Sequence, residues 1–256
     1  MTARLGVTWW GHSSMSLRLG DVVVATDPLL SRRLLHLRRP SPPPPPAAET
    51  ADVVLVSHLH RDHLHLPSLD RFDPSIPVVV PRGATRLVKG LAGRTLVEVA
   101  PGDRVEVAGV EVEVHPAHHD GRRSVVENGD APAVGFRVDD GHRSVWYPGD
   151  TGQQDNSGVR PVDLAAVPIG GWGPTLGEEH LDPRQAAQAV ADVGARWALA
   201  VHYGTFWPVA MRRLHPANHR YFFETPPDRF REAMAELAPD VAPLTPLHGV
   251  SVELVT

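Results

Sequence analysis

The sequence predicts an α/β protein built from two strand-rich halves, arranged as two sheets face to face with helices outside. Three observations carry this. Short apolar runs of strand length, punctuated by Gly, Asp and Pro, recur through both halves. Each half also contains helical patterns. With 256 residues, 42% of them hydrophobic, the chain has enough apolar material for one large core, so a single domain over residues 1–256 is expected.

In the first half, strands are expected over 5–10, 15–19, 22–26 and 53–57, with Gly20-Asp21 as the hairpin turn between the second and third. Between the third and fourth lies SRRLLHLRRPSPPPPPAAET. Its five consecutive prolines, 42–46, cannot join a helix or a sheet ladder and predict a stiff, extended surface connection. A short helix is expected over 67–72, a strand over 76–80 and a helix over 83–91. Strands follow over 96–99, 104–107, 110–115, 134–138 and 144–147, with Asp140-Gly141 as a second hairpin turn. Residues 163–169 read as strand and 183–193 as helix, with Asp182 as N-cap and Pro183 in the first position. A strand over 197–202 and a helix over 227–237 complete the chain.

Composition excludes several functions. A formal net charge of -5 gives no reason to expect nucleic-acid binding, since a backbone-binding protein usually carries a basic face or domain, so no nucleic-acid partner is expected. No run of 18 apolar residues and no basic-then-apolar leader occurs, which predicts a cytoplasmic protein without an integral membrane segment. The absence of cysteine removes disulfides, thiol catalysis, Fe–S clusters and thiolate zinc sites. Any metal must then be held by His, Asp or Glu, and the chain has 15 histidines.

Their grouping is informative. In VVLVSHLHRDHLHL, residues 53–66, an apolar strand runs straight into His58, His60, Asp62, His63 and His65. Folding alone does not call for these side chains, because unpaired polar burial costs on the order of a few kcal/mol per group. A cation supplies the missing partner. In an extended stretch His58 and His60 point the same way and reach one ion, while Asp62 and His63, where the chain turns, serve a second beside it. Three other strands stop on candidate ligands: 110–114 runs into HPAHHDGRR, 144–147 into PGDTG and 198–201 into HYGTF.

The ordered series TDP, SHLHRDH, PAHH, PGDTG and VHYGTF, spanning residues 26 to 206, resembles the five motifs of the metallo-β-lactamase fold superfamily of metal-dependent hydrolases. Together with TWWGHSS, PIGGW and EHLDPRQA, it is similar to the branch containing N-acylphosphatidylethanolamine-hydrolysing phospholipase D and the ascorbate-6-phosphate lactonases. The resemblance implies a four-layer αββα sandwich with metals at the shared edge of the sheets. It implies that His58, His60 and a histidine of PAHH hold one ion, and that Asp62, His63 and His202 hold a second, with Asp150 bridging. The pattern P-A-x-H selects His119 over His118, which becomes a neighbour of the centre. Asp27 either orients a ligand histidine or is a turn residue before Pro28.

Such a centre suits Zn²⁺, with Mn²⁺ and Fe²⁺ compatible, and two ions would bridge a hydroxide as nucleophile. Asp62 and His180 are the catalytic candidates, His180 by positioning substrate or moving a proton. His12, Arg122 and Trp172 are candidates for substrate contact, and Trp207 for the pocket wall. The expected activity is hydrolysis of a phosphodiester or ester-type bond in a small-molecule or lipid-like substrate. The alternatives are a lactonase for a small, phosphorylated or plain lactone, and a metal-binding member of the fold without turnover. The segment WPVAMRRLHPANHRYFFETPP departs from the phospholipase pattern after VHYGTF and is expected to change the substrate-facing wall. Its Arg212 and Arg213 also admit a peripheral membrane enzyme.

Overall fold

The computed structural model describes residues 4–123, 131–171, 178–208 and 211–255. Its first half contains β1 (Leu5–Gly11), β2 (Ser14–Leu19), β3 (Val22–Thr26), the two-residue strands β4 (Arg33–Leu34) and β5 (Leu37–Arg38), β6 (Val53–Leu55), α1 (Leu66–Leu69), β7 (Val78–Pro81), α2 (Ala84–Leu87) and β8 (Leu96–Val99). Then follow β9 (Arg104–Val107), β10 (Val110–Pro116), β11 (Val134–Asp139), β12 (Ser144–Tyr147), β13 (Leu164–Pro168), α3 (Pro183–Asp192) and β14 (Trp197–Val201). The last part holds β15 (Trp207–Pro208), α4 (Met211–Leu214), α5 (Pro216–His219), α6 (Pro226–Leu237), β16 (Ala242–Leu244) and β17 (Ser251–Leu254).

Two seven-stranded sheets form, in the orders β17-β1-β2-β3-β6-β7-β8 and β16-β14-β13-β12-β11-β10-β9, with a small sheet β15-β5-β4 beside them. Strand alternation builds the layers. Val53 and Leu55 face the second sheet, in one core with Phe136, Val145, Leu164 and Leu199. Val54 and Val56 face outward onto Leu69, Ala84 and Leu91 of the α1–α2 region. On the far side, Ala165 and Val167 of β13 pack against Val190 of α3 and Phe230 and Met234 of α6. The result is the αββα sandwich, and it explains why the central parallel strands read as continuous apolar runs: both faces are covered.

Several boundaries differ from expectation. The strand over 53–57 stops at Leu55, because the Ser57 N–H leaves the ladder for Asp27 Oδ1 at 2.8 Å. The helix over 83–91 breaks after Leu87, where Val88 is extended (φ -121°, ψ 90°), and resumes as a 3-10 turn over Lys89–Leu91. In the proline tract Pro45 is extended, and Pro46–Glu49 then close a 3-10 turn, which needs no N–H from proline at its first position. The strands β4, β5, β15, β16 and β17 went unforeseen, since pieces of two to four residues carry no periodicity. Helix α3 starts as expected: Asp182 accepts the N–H groups of Arg184 and Gln185 in a capping box.

Candidate metal centre

Leaving β6, the chain carries the fully buried His58 to the sheet edge, then turns sharply, with the His63 N–H donating to the His60 carbonyl at 3.1 Å. That turn returns Asp62 and His63 beside His58. Residue 65 leaves the cluster, its Nδ1 2.7 Å from Ser68 Oγ at the start of α1. The other candidates arrive from strand ends, as expected of a site built at the edge of two sheets: His119 beyond β10, Asp150 beyond β12 and His202 immediately after β14.

Two groups of donors result. His58, His60 and His119 form the first, with His60 Nδ1 2.9 Å from His58 Nε2 and 3.1 Å from His119 Nε2. Asp62, His63, His202 and His12 form the second. Asp62 Oδ2 lies 3.8 Å from His63 Nε2, 3.9 Å from His202 Nε2 and 3.1 Å from His12 Nε2. Asp150 stands between the groups. Its Oδ2 is 3.2 Å from His63 Nε2 and 3.0 Å from His202 Nε2, and its carboxylate also clusters with His58 and with His119 and His180.

The donor set fits cations. His63 Nε2, both ring nitrogens of His202, Asp150 Oδ1 and His180 Nδ1 are buried without a hydrogen bond. Such atoms cost about 1–3 kcal/mol each when unmet, and one or two ions ligated by nitrogen and oxygen would satisfy His63 Nε2, His202 Nε2 and Asp150 Oδ1 together, though not His202 Nδ1 on the far side of its ring. The surroundings orient the rings in advance. Asp27 is fully buried, and its Oδ2 accepts from Ser57 Oγ (2.5 Å), from the Tyr147 hydroxyl and from His63 Nδ1 (2.6 Å). The Nδ1–H bond fixes the His63 tautomer and turns Nε2 toward Asp150. His119 Nδ1 is similarly placed, 3.2 Å from the Glu179 carbonyl oxygen.

Charge is strongly coupled here. Burial opposes protonation of His202, but Asp150 and Asp62 outweigh it and raise the ring to about 9 from an ordinary 6.5. His63 is pushed well above its usual range against burial, by Asp150, Asp27 and Asp62. Burial alone would raise the two carboxyls; instead His202 and His63 hold Asp150, and His63 and His12 hold Asp62, well below the usual carboxylate range. His12 and His180 are lowered to about 4, chiefly by burial.

A pH dependence follows. In metal-free protein the charged His202 stabilises the fold in full below its unfolded value of 6.5, and that contribution disappears as pH rises toward about 9. Coordination needs the same nitrogen without its proton. Metal affinity is therefore expected to strengthen with pH from 6.5 to about 9, by about tenfold per pH unit for each proton displaced. Competition titrations against a chelator measure it; an affinity indifferent to pH across this range would remove His202 and His63 from the ligand set.

The remaining candidates are placed as follows. His118 is exposed, and its contribution is through the backbone, donating its N–H to Thr151 Oγ1 and accepting from Gly152 N–H, both at 2.9 Å. Arg122 is forked onto Asp120 through Nε and Nη2, so its guanidinium is engaged by its own loop. His180 Nδ1 sits 3.7 Å from Asp150 Oδ2. Trp172 lies outside the described residues. His12 has left-handed backbone (φ 54°); its N–H donates to Thr205 Oγ1 at 2.6 Å and its carbonyl accepts from the His202 N–H at 2.9 Å. Sequence reasoning missed Tyr147, Thr205 and Glu179. A tyrosine ending an otherwise apolar strand was the available signal, because a buried hydroxyl needs a partner. It also missed why PIGGW carries its second glycine. At Gly171 (φ 82°) a Cβ would lie 2.7 Å from His202 Cε1 and 2.8 Å from His180 Nδ1.

Beside the second group opens a cavity of about 660 Å³. His12, Asp62 and His202 line its reactive end, and Leu34, Leu37, Phe206, Trp207 and Phe222 contribute apolar wall.

A family model described as a beta-lactamase superfamily domain matches residues 23–203. The chain is 29% identical over 257 residues to N-acyl-phosphatidylethanolamine-hydrolyzing phospholipase D 1 of Caenorhabditis elegans, covering 90% of this chain and 70% of that protein. It is 31% identical over 260 residues to a metal-dependent hydrolase of Nitratidesulfovibrio vulgaris, covering 97% of this chain and 95% of the relative. An uncharacterized Mycobacterium tuberculosis protein, 30% identical over 226 residues and 80% of this chain, is longer, the match spanning 60% of its length. Among solved structures, a metallo hydrolase of Ignicoccus hospitalis shares the fold over 99% of both chains, with a TM-score of 0.70 at 19% identity.

Proposed function

The chain belongs to the beta-lactamase superfamily domain family and is a metal-dependent hydrolase, and from that premise we propose that it works as a dinuclear enzyme cleaving a phosphodiester or related ester in an amphiphilic substrate. The single observation that carries this reading is the place of Asp150, whose Oδ2 lies 3.2 Å from His63 Nε2 and 3.0 Å from His202 Nε2 of one group and whose carboxylate also clusters with His58 and His119 of the other. One carboxylate shared between two nitrogen-rich groups is the arrangement that two adjacent cations require. We assign His58, His60 and His119 to one ion, Asp62, His63 and His202 to the other, and Asp150 to both. Zn²⁺ suits these donors, and Mn²⁺ or Fe²⁺ are compatible with them.

Two bound ions would supply a hydroxide nucleophile near neutral pH and charge stabilisation for the scissile group and the leaving oxygen. The chain's own residues do the rest. Asp27 locks His63 through Nδ1, and Glu179 locks His119 in the same way. His12, against Asp62 and on the wall of the cavity, is placed to touch substrate, and His180, beside Asp150, to hold or move a proton. The apolar wall accommodates a hydrocarbon portion, which favours an amphiphilic ester over a small polar one. The nematode relative, by its name a phospholipase D, supports the phosphodiester. Residues 1–256 act in this reading as one catalytic domain, since one core joins both sheets.

The test is metal removal. Dialysis against a chelator is expected to abolish turnover of a chromogenic phosphodiester and divalent metal to restore it, with a His60→Ala variant inactive throughout. Lactones and β-lactams assayed beside it define the bond. Undiminished turnover by protein shown by elemental analysis to be metal-free would refute the mechanism.

A further inference from the structure

Among the described residues, the cavity wall opposite the ligand loops draws on two segments far apart in sequence, 32–40 and 207–208 with 211–224. Together they carry six exposed arginines and the buried Arg39 against one carboxylate, Glu224, in a chain whose formal net charge is -5. They meet in the small sheet β15-β5-β4. Arg33 is paired with Arg38, and Arg38 with Trp207; Leu34 is paired with Leu37, and Leu37 with Pro208. Cross-strand partners share a face, so this flap has two. Leu34 and Leu37 face the reaction cavity, whereas Arg38 joins Arg212 around a second pocket of about 320 Å³ that shares Trp207, Pro208 and Phe223 with it.

The tip of the β4–β5 hairpin is the anomaly. Leu35 is 76% exposed and has left-handed backbone, φ 50°. A glycine or asparagine would relieve the strain and a polar residue the exposure, so folding gives no reason for leucine there. Leu214 at the end of α4 is 67% exposed, next to Arg212 and Arg213. None of Arg33, Arg38, Arg212 or Arg213 pairs with a carboxylate among the described residues.

We propose that this flap is a docking surface for an anionic lipid bilayer, with Arg33, Arg38, Arg212 and Arg213 on the head groups and Leu35 and Leu214 entering the acyl boundary. Cationic side chains beside protruding leucines fit such an interface, where charge attracts and apolar tips anchor. A soluble polyanion would use the arginines and leave both leucines in water. Docking deepens the hydrolase reading by placing the apolar wall of Leu34 and Leu37 next to the lipid, the source of an amphiphilic substrate. It does not itself require turnover.

The experiment is co-sedimentation of the full, metal-loaded chain with vesicles of phosphatidylcholine alone or of equal parts phosphatidylcholine and phosphatidylglycerol, at low and high salt. Binding is expected to the anionic vesicles and to fall with salt. Each interfacial arginine is worth about fivefold in partitioning, so Arg33→Glu with Arg212→Glu should weaken binding at least tenfold. Leu35→Gly should keep the melting temperature, because glycine accepts this backbone, and also weaken binding roughly tenfold. Equal binding to both vesicle types overturns the proposal. So does a Leu35→Gly variant that sediments like the wild type; retention of that variant on heparin through the arginines would then identify a soluble polyanion. Because sedimentation is read without catalysis, vesicle binding by a protein that hydrolyses nothing would sink the hydrolase reading and leave docking intact.

Discussion

Asp150→Ala is expected to lose both metal equivalents and to lower turnover on the order of a thousandfold or more, while Asp62→Ala loses mainly one. The difference follows from position. Asp62 Oδ2 lies within 4 Å of His12, His63 and His202, all in one group. Asp150 clusters with members of both groups, and its charge does most to raise both His63 and His202 against the cost of burying them. Without its carboxylate, two buried rings lose their main counter-charge and the two groups lose the carboxylate that stands between them. Elemental analysis of each purified variant, together with its turnover, gives the readout. Two metal equivalents per chain in Asp150→Ala would end the bridging assignment, and at most one in the wild type would end the dinuclear one.

The second large effect concerns Asp27, which acts on the centre from behind. Asp27→Ala is expected to destabilise the fold by roughly 3–5 kcal/mol, as losing one partner of a buried charged network does. For a chain of this size that is a fall of about 10 °C in melting temperature. The cause is specific: Ser57 N–H, Ser57 Oγ, the Tyr147 hydroxyl and His63 Nδ1 all converge on this carboxylate. Burial and Asp27 together raise the Tyr147 phenol well above its usual range, so it remains a donor and loses its carboxylate acceptor in this variant. Metal affinity should fall by about 10–100-fold, the usual effect of losing a partner that orients a ligand histidine. Tyr147→Phe removes one donor only and should retain most of the metal. Thermal melting and metal titration of the two variants separate these effects. A melting temperature unchanged in Asp27→Ala would show that the convergence contributes nothing to the fold.

Local pattern made much of the architecture readable. Val53 to Val56 and Leu164 to Val167 are continuous apolar runs because both faces of each strand are covered, and their length marked them as strands. The candidate centre was legible for a related reason. Imidazoles and carboxylates placed where an apolar strand ends are costly to bury, so His58, His60, Asp62 and His63 stood out from the residues alone, while His119, Asp150 and His202 were singled out by the resemblance to the five motifs of the family. His65, from the same crowded stretch, turns instead to Ser68, which no spacing argument distinguished.

The sequence by itself determined the strand-rich halves, the nitrogen and oxygen character of any metal site, and the residues available to build it, because burial cost and side-chain periodicity act locally along the chain. Only the tertiary structure decided that Asp27 and Tyr147, 120 residues apart, share a hydrogen bond behind His63, that His12 reaches Asp62 from the turn after the first strand, and that residues 33–38 and 207–208 join in one two-faced flap. These are meetings between segments distant in sequence. Their geometry is fixed by which strands pair and how the sheets pack, and no window of neighbouring residues contains it.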